Sequence, residues 1–454
     1  MKRIMSVILL VAMLLTGCAN TSNNMKTDGA KAEDEKPKAK ELSLIENRWI
    51  NSSFATEEGY YYISSTAHGN DQEEMVNLMY LDYASGKEMF LCNQPGCSHD
   101  TDTCNSFLED VHSVDTKVLF ISGNRLYLLL SPADDSGSMS TGWIDPSYEG
   151  LIISGSSDTQ PRLYSMNTDG TDRRVLCEFD SGIVVEDKVA VCKDSIYVIC
   201  KKIQSEDMGE NTTYKSAYDR QLMRIDNTTG KQEKVCDLQG DSSLVGAFGG
   251  KLVFEATIFE HELTPEEKAD DSIYKKELKK ANIVVSTLDV DTCQTSQLLS
   301  ISGAKTFTSQ MSGSKLYYSI KGENQVKCLE LSNGEEKVIA ANENGSIDQV
   351  YNDSMRITSW DYTQDKYYSL SIASGEIGQM SLYTNELKEP VTILAENQKQ
   401  FLVVYDYQCS GEYTTWAGTK QNDIISYKLG LISKEDYFAN KSSYSPVETI
   451  GDGI

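Results

Sequence analysis

The sequence predicts an all-β fold, a β-propeller of about seven four-stranded blades. Three observations carry this. From Ile45 onward one unit recurs: an apolar strand, a Gly/Asn/Asp turn, an aromatic-rich strand, a third strand, an Asp or Asn with Gly, then a charged strand. The strands are rich in Tyr, Val, Ile and Leu, and the turns are hairpin chemistry, because Gly and Asn accept positive φ. Each unit runs to roughly 40–70 residues, and none can bury both its faces alone, so the units must stack around a ring. Six or eight blades also fit the spacing. An array of β-sandwiches is the competing architecture, and the repeated position of the charged fourth strand argues for the ring.

Taken in order, the chain opens on Met1-Lys2-Arg3 and an uncharged apolar stretch from Ile4 to Leu15. That stretch is short for a bilayer span and suits the core of a signal peptide. It ends in Leu15-Thr16-Gly17-Cys18, which resembles the lipobox of bacterial lipoproteins. The residue types fit the chemistry: small side chains admit the peptidase, and the thiol takes a diacylglycerol before cleavage frees its amine. The resemblance implies a signal peptide over 1–17, a lipidated Cys18 and attachment to a membrane outside the cytoplasm, with two or more acyl chains giving stable anchoring. An ordinary secretory signal with a chance cysteine is the alternative. Residues 18–44 read as anchor and flexible spacer, because the text from Ala19 to about Leu42 is polar and cannot bury enough apolar surface to fold.

Losing Lys2 and Arg3 with the signal leaves 40 basic side chains against 68 acidic ones, a net charge of −28. So acidic a surface disfavours nucleic-acid partners and adhesion to anionic headgroups. Hydrophobic residues make up 39% of the chain, enough for a large core, and no later segment approaches a transmembrane span.

The clearest units are the second (Val118 to Ser122, Gly123-Asn124, Arg125 to Leu130, Arg162 to Asn167, Asp169-Gly170, Arg173 to Cys177), the third (Val189 to Cys236) and the fifth (Gly313 to Ala340). Weaker copies begin near Tyr60, Lys251, Arg356 and Phe401. The propeller is therefore expected over 45–440, with 441–454 as a tail. With strands lettered A to D, the A–B and C–D turns share one face of the ring and are tight. Long insertions fall in the B–C connections: Ser131 to Pro161, Lys201 to Arg220, and Phe259 to Ala281. In the third, Thr264-Pro265-Glu266-Glu267 starts a short charged helix reaching toward Lys280. One face is then plain and the other decorated, and loops on a rigid scaffold are where binding usually sits. Tolerated surface insertion is the plainer reading.

The most specific constellation is Cys92-Asn-Gln-Pro-Gly-Cys97-Ser-His99-Asp-Thr-Asp-Thr-Cys104. Three thiols and an imidazole form an accepted zinc-ligand set, with Pro95-Gly96 supplying a turn. The spacing is not that of a zinc finger or knuckle, so the match is to ligand type. Three readings stand: a structural metal site, a disulfide between two of the cysteines with the third free, and packing of reduced thiols. Cys92 and Cys236 each sit six residues after a turn glycine, and Cys177 seven after one, which suggests a single inward position of strand D filled by a small buried side chain. Cys92 then belongs to the strand and Cys97, His99 and Cys104 to the loop.

Cys192, Cys200, Cys293, Cys328 and Cys409 read as core positions, and Cys192 and Cys200 do not face each other across a two-residue hairpin. His68, His112 and His261 lack partners at ligand spacing. Thr168-Asp169-Gly170-Thr171-Asp172 lacks the alternating carboxylates and distal Glu of a calcium loop and reads as a hairpin turn. There is no G-x-S-x-G, H-E-x-x-H, P-loop or dinucleotide fingerprint.

The lipobox, the polar spacer and blade text such as Leu222-Met-Arg-Ile225-Asp226 with Gly230-Lys231 resemble exported lipoproteins of Clostridia-type bacteria. Those carry a propeller similar to the TolB carboxy-terminal and low-density-lipoprotein-receptor types. Leu91 to Cys104 and the stretch Leu431 to Tyr437 look like recurring features of that group. The resemblance covers about 45–440 and implies architecture and address but no reaction. The receptor-type Tyr-Trp-Thr-Asp motif is absent, so no ligand is implied. The expected function is a membrane-anchored binding module with an extracellular or envelope ligand (glycan, peptide or protein). The alternative is a carbohydrate-active hydrolase or lyase with site residues drawn from several blades.

Overall fold

The computed structural model describes residues 41–450 except 46–51, 67–74, 109–110, 112–115, 133–138, 142–159, 210–211, 239–241, 265–266, 269, 304–306, 343–344, 360–365 and 415–419. Cys18, His68 and His112 lie outside the described residues. Seven antiparallel sheets follow one another along the chain, over 53–90, 116–178, 183–237, 242–302, 307–341, 345–379 and 392–446. In each, the strands pair in chain order, A to D. The fold is the expected all-β propeller, with seven blades.

Alternation along each strand builds the ring. In strand B of blade two, Tyr127 and Leu129 pack toward blade three, while Leu126, Leu128 and Leu130 pack toward blade one. In strand B of blade three, Ile196, Val198 and Cys200 face blade two, and Tyr197 and Ile199 face blade four. A period of two thus presents one apolar set to each neighbour. Seven apolar clusters result, one per blade junction, and the cluster of Tyr60, Tyr62, Leu402 and Leu431 closes blade seven onto blade one.

A staple recurs at the outer edge. Gly170, in the C–D turn of blade two, has φ +80°, and a Cβ there would lie 2.7 Å from the carbonyl of Leu91 in blade one. Gly230 of blade three sits on the carbonyl of Leu176, and Gly375 of blade six sits on that of Ile339. Each of these turns needs a left-handed residue without a side chain, so that the backbone of one blade can lie on the last strand of the preceding one.

Both ends of the propeller are tied in. Ser43–Leu44, expected as spacer, forms an extra strand against strand A of blade three, pairing Ser43 with Val191 and Leu44 with Ala190. The flanking Leu42 packs with Leu244 and Leu252 of blade four, and Ile45 packs with the core between blades two and three. This strap runs antiparallel to strand A, so it enters the ring from the face of the tight A–B turns. Glu41 accordingly borders a recess of about 500 Å³ with Gly123, Lys193 and Asp194 of those turns. At the other end, Ser445–Pro446 of the expected tail supplies strand D of blade seven. Glu448 then bridges to blade one, where the Glu88 N–H donates to its carbonyl at 3.0 Å and its own N–H donates to Gly86 at 2.8 Å.

That closure contains a titrating group. Glu88 is buried, and burial pushes its carboxyl up to about 7, although the N–H of Ile450 donates to it and pulls the other way. A carboxyl raised on folding contributes stability that is complete below its ordinary value of 4.5 and is lost as pH climbs through about 7. Urea midpoints should fall over that interval, and Glu88→Gln should flatten the fall. An unchanged pH profile in the variant would show that the group does not titrate in this way.

The insertions resolve unequally. Lys201 to Arg220 is not a loop: strands Ser195–Gly209 and Thr212–Asp226 continue through it as a long hairpin, with Met139–Thr141 of the first insertion paired to its outer side. The sequence of this stretch lacks a sustained apolar alternation, which hid the strand character. Blade seven projects a comparable hairpin from Gln400–Thr414 and Lys420–Ser433. The third insertion carries helix α1 at Asp271–Leu278, capped by Asp270. Upstream, the Thr264 hydroxyl accepts from Glu267 N–H at 3.3 Å and the Glu267 carboxylate accepts from Thr264 N–H at 2.9 Å, a capping box. Among the described residues no helix is long and apolar enough to cross a membrane.

Candidate metal centre

Cys92, Cys97, His99 and Cys104 come together in the connection from blade one to blade two, with their donor atoms all within 4.8 Å of one another. Strand D of blade one, Lys87–Phe90, ends just before Cys92. Beyond the loop the chain returns to the same blade: Leu78 N–H donates to Ser106 at 2.8 Å, and Leu108 N–H donates to Val76 at 2.9 Å. Residues 106–108 therefore extend the outer edge toward the B–C end of the blade, and the four donors lie in the loop between.

Left-handed residues make the reversal possible, with Gly96 at φ 74° and His99 at φ 63°. A non-glycine residue there costs about 1 kcal/mol, so the rest of the loop must hold it. Asn77 does part of this, donating to the His99 carbonyl at 3.1 Å from strand C. Phe90 stacks on the imidazole with centroids 4.2 Å apart. Arg173 of blade two donates to the carbonyls of Asn105 and Phe107, at 3.3 and 2.7 Å.

The thiols differ. Cys104 is buried, its sulfur 3.3 Å from His99 Nδ1 and 3.1 Å from the Ser106 hydroxyl, and it accepts from Ser106 N–H at 3.4 Å. Burial alone would raise this thiol, but the hydrogen bonds from Ser106, His99 and the backbone outweigh it and bring it down to about 6. At Cys97 the His99 N–H favours the thiolate, yet desolvation and the neighbouring Cys104 and Cys92 thiols leave it raised. Four soft or borderline donors at this separation could hold a metal ion, and the edge of a tetrahedral sulfur site around zinc is about 3.7 Å from its bond lengths.

Cys92 sits two residues beyond the end of strand D at Phe90 and belongs to the cluster. Sequence reasoning missed Asn77, because its contact with the loop crosses from strand C, and missed Ser106, a local contact of Cys104.

Among the other cysteines, Cys200 and Cys328 are core residues, Cys192 and Cys409 are half-buried, and Cys293 is exposed at a turn, against the expectation of a core position. Cys192 pairs with Ser195 and Cys200 with Val185, so the first two do not face each other. His261 lies 3.5 Å from Glu267 and away from the cluster. Thr168–Asp172 is a turn: Asp169 accepts from Thr171 N–H at 3.0 Å, and Asp172 pairs with Arg125 at 2.7 Å.

No family model and no curated protein matches the sequence. Solved structures align over most of the chain. An oligogalacturonate lyase in complex with manganese aligns at 11% identity and TM-score 0.41, over 80% of this chain and 86% of that one. TolB from Acinetobacter baumannii aligns at 12% identity and TM-score 0.33, over 83% and 76%. An acylaminoacyl peptidase from Pyrococcus horikoshii aligns at 9% identity and TM-score 0.46, over 90% of this chain and 52% of that one, so the chain spans about half the length of that peptidase. At these values no activity or ligand passes to this protein.

Proposed function

We propose that the chain is a lipid-anchored extracytoplasmic protein, acylated at Cys18, whose propeller is a binding module with its hairpin-bearing face turned away from the membrane. The lipobox-like Leu15 to Cys18 supports the anchor, and the strap supports the orientation. Leu42 to Ile45 enters the ring from the tight-turn face, and Glu41 borders the turns of that face. The opposite face carries the hairpins of blades three and seven and helix α1. An anchor upstream of residue 41 would then leave the projecting face free for a glycan, peptide or protein ligand. The acidic balance of the chain disfavours a nucleic-acid ligand.

The cysteine cluster is assigned to a structural zinc ion held by Cys92, Cys97, His99 and Cys104. Three sulfurs and one nitrogen match a closed Cys₃His set, which leaves no open position for substrate. The ion would fix the turn between Leu91 and Leu108, which are both buried in the core between blades one and two. A hydrolase or lyase would instead need clustered carboxylates or a His/Tyr/Arg set at the channel mouth. Glu186, buried on the inner strand of blade three, is held by Lys201 at 3.3 Å and Arg220 at 2.7 Å.

Anchoring has a direct test. Cells fed an alkyne-tagged fatty acid should label the protein and retain it in the membrane pellet, and Cys18→Ala should abolish both. A Cys18→Ala protein that still labels and still pellets would refute the anchor.

A further inference from the structure

Outside the metal centre, a second pair of thiols is brought together where the staple between blades is altered. At three junctions a glycine of the C–D turn lies on a strand D carbonyl of the preceding blade: Gly170 on Leu91, Gly230 on Leu176 and Gly375 on Ile339. The residues after those carbonyls are Cys92, Cys177 and Ala340. At the junction of blades three and four the same place in the turn is taken by Cys293, in the left-handed region at φ 57°. Its sulfur lies 3.0 Å from the carbonyl of Val235, and the next residue is Cys236. Of these four junctions, it is the one where a thiol meets a thiol.

Cys236 packs against the core between blades three and four, the junction on whose rim the Cys293 sulfur lies beside Val235. Cys293 is exposed and Cys236 half-buried, so the pair opens to solvent on the outer rim. A cysteine with positive φ carries a backbone strain that a glycine would not. The space a side chain needs is present here, whereas at Gly230 the Leu176 carbonyl fills it.

We propose that Cys236 and Cys293 form a disulfide that crosslinks strand D of blade three, Gln232–Asp237, to the C–D turn of blade four. The oxidant is a low-molecular-weight disulfide. The Cys293 thiolate attacks one of its sulfurs, breaking that S–S bond and releasing one thiolate. The Cys236 thiolate then attacks the Cys293 sulfur and expels the second. Two protein thiols are oxidised, two small thiols are formed, and the two protons from the protein pass to them.

The test uses full-length reduced protein and glutathione disulfide, followed by peptide mapping without reductant and urea unfolding. The expected map holds one peptide joining Cys236 to Cys293, two hydrogens lighter than the reduced pair. The urea midpoint should rise on oxidation, and Cys293→Gly should fold normally while losing both the crosslink and the rise. A folded protein in which Cys293 carries glutathione while Cys236 stays free, or in which both stay free, would overturn the proposal. The map of the parent protein decides the question even if the variant folds poorly.

Discussion

Protein produced with zinc and purified without chelator is expected to carry one zinc per chain, and stripping the ion is expected to cause a large loss of stability. A ligand that binds only the folded state stabilises it by about 4 kcal/mol when its free concentration is a thousand times Kd. The loop it would hold contains two left-handed residues, Gly96 and His99, and is tied down chiefly by hydrogen bonds from Asn77 and Arg173. Cys97→Ser gives the sharpest comparison. Cys97 is partly exposed, so in a metal-free protein the exchange should change stability by about 0.5 kcal/mol or less. If zinc is bound, the same exchange should remove it and lose most of the metal's contribution. Elemental analysis with a thiol count checks the claim: no metal and three free thiols at Cys92, Cys97 and Cys104 would leave only packing, and one free thiol would indicate a disulfide.

Detaching the strap is expected to have an effect of similar size. Leu42 and Ile45 are both buried, in two different blade junctions. Burying a Leu or Ile side chain is worth about 1.5–3 kcal/mol, so Leu42→Asp with Ile45→Asp should cost about 3–6 kcal/mol. The urea midpoint should fall, and the chain around residue 45 should become open to protease. A double variant as stable and as protease-resistant as the parent would mean that the strap does not occupy the ring.

Much of the fold was legible because blades announce themselves locally. Gly123-Asn124 and Lys193-Asp194 close two-residue hairpins, and strands such as Arg125–Ser131 alternate between two apolar faces. The residue types of the metal centre were legible too, since Cys97, His99 and Cys104 are close in sequence. What escaped depended on partners far along the chain. Ser43–Leu44 is only two residues at the end of a polar stretch and becomes a strand because strand A of blade three offers an open edge. Thr212 to Arg220 lacks the alternating apolar pattern of a strand and is a strand because Ser195–Gly209 pairs with it. Cys293 and Cys236 meet through blade stacking. The signal that could have paired them was a cysteine standing in the C–D turn of blade four where blade three has Gly230.

The most direct test of the central claim is the height of each face above the membrane. Lipidated protein in a supported bilayer, carrying a fluorophore at either Asn124 or Thr212, can be read against a quencher confined to the lipid. Asn124 lies in an A–B turn on the face where the strap enters, and Thr212 lies at the tip of the blade-three hairpin on the opposite face. Stronger quenching at Asn124 than at Thr212 is the predicted result; equal quenching, or stronger quenching at Thr212, would contradict it.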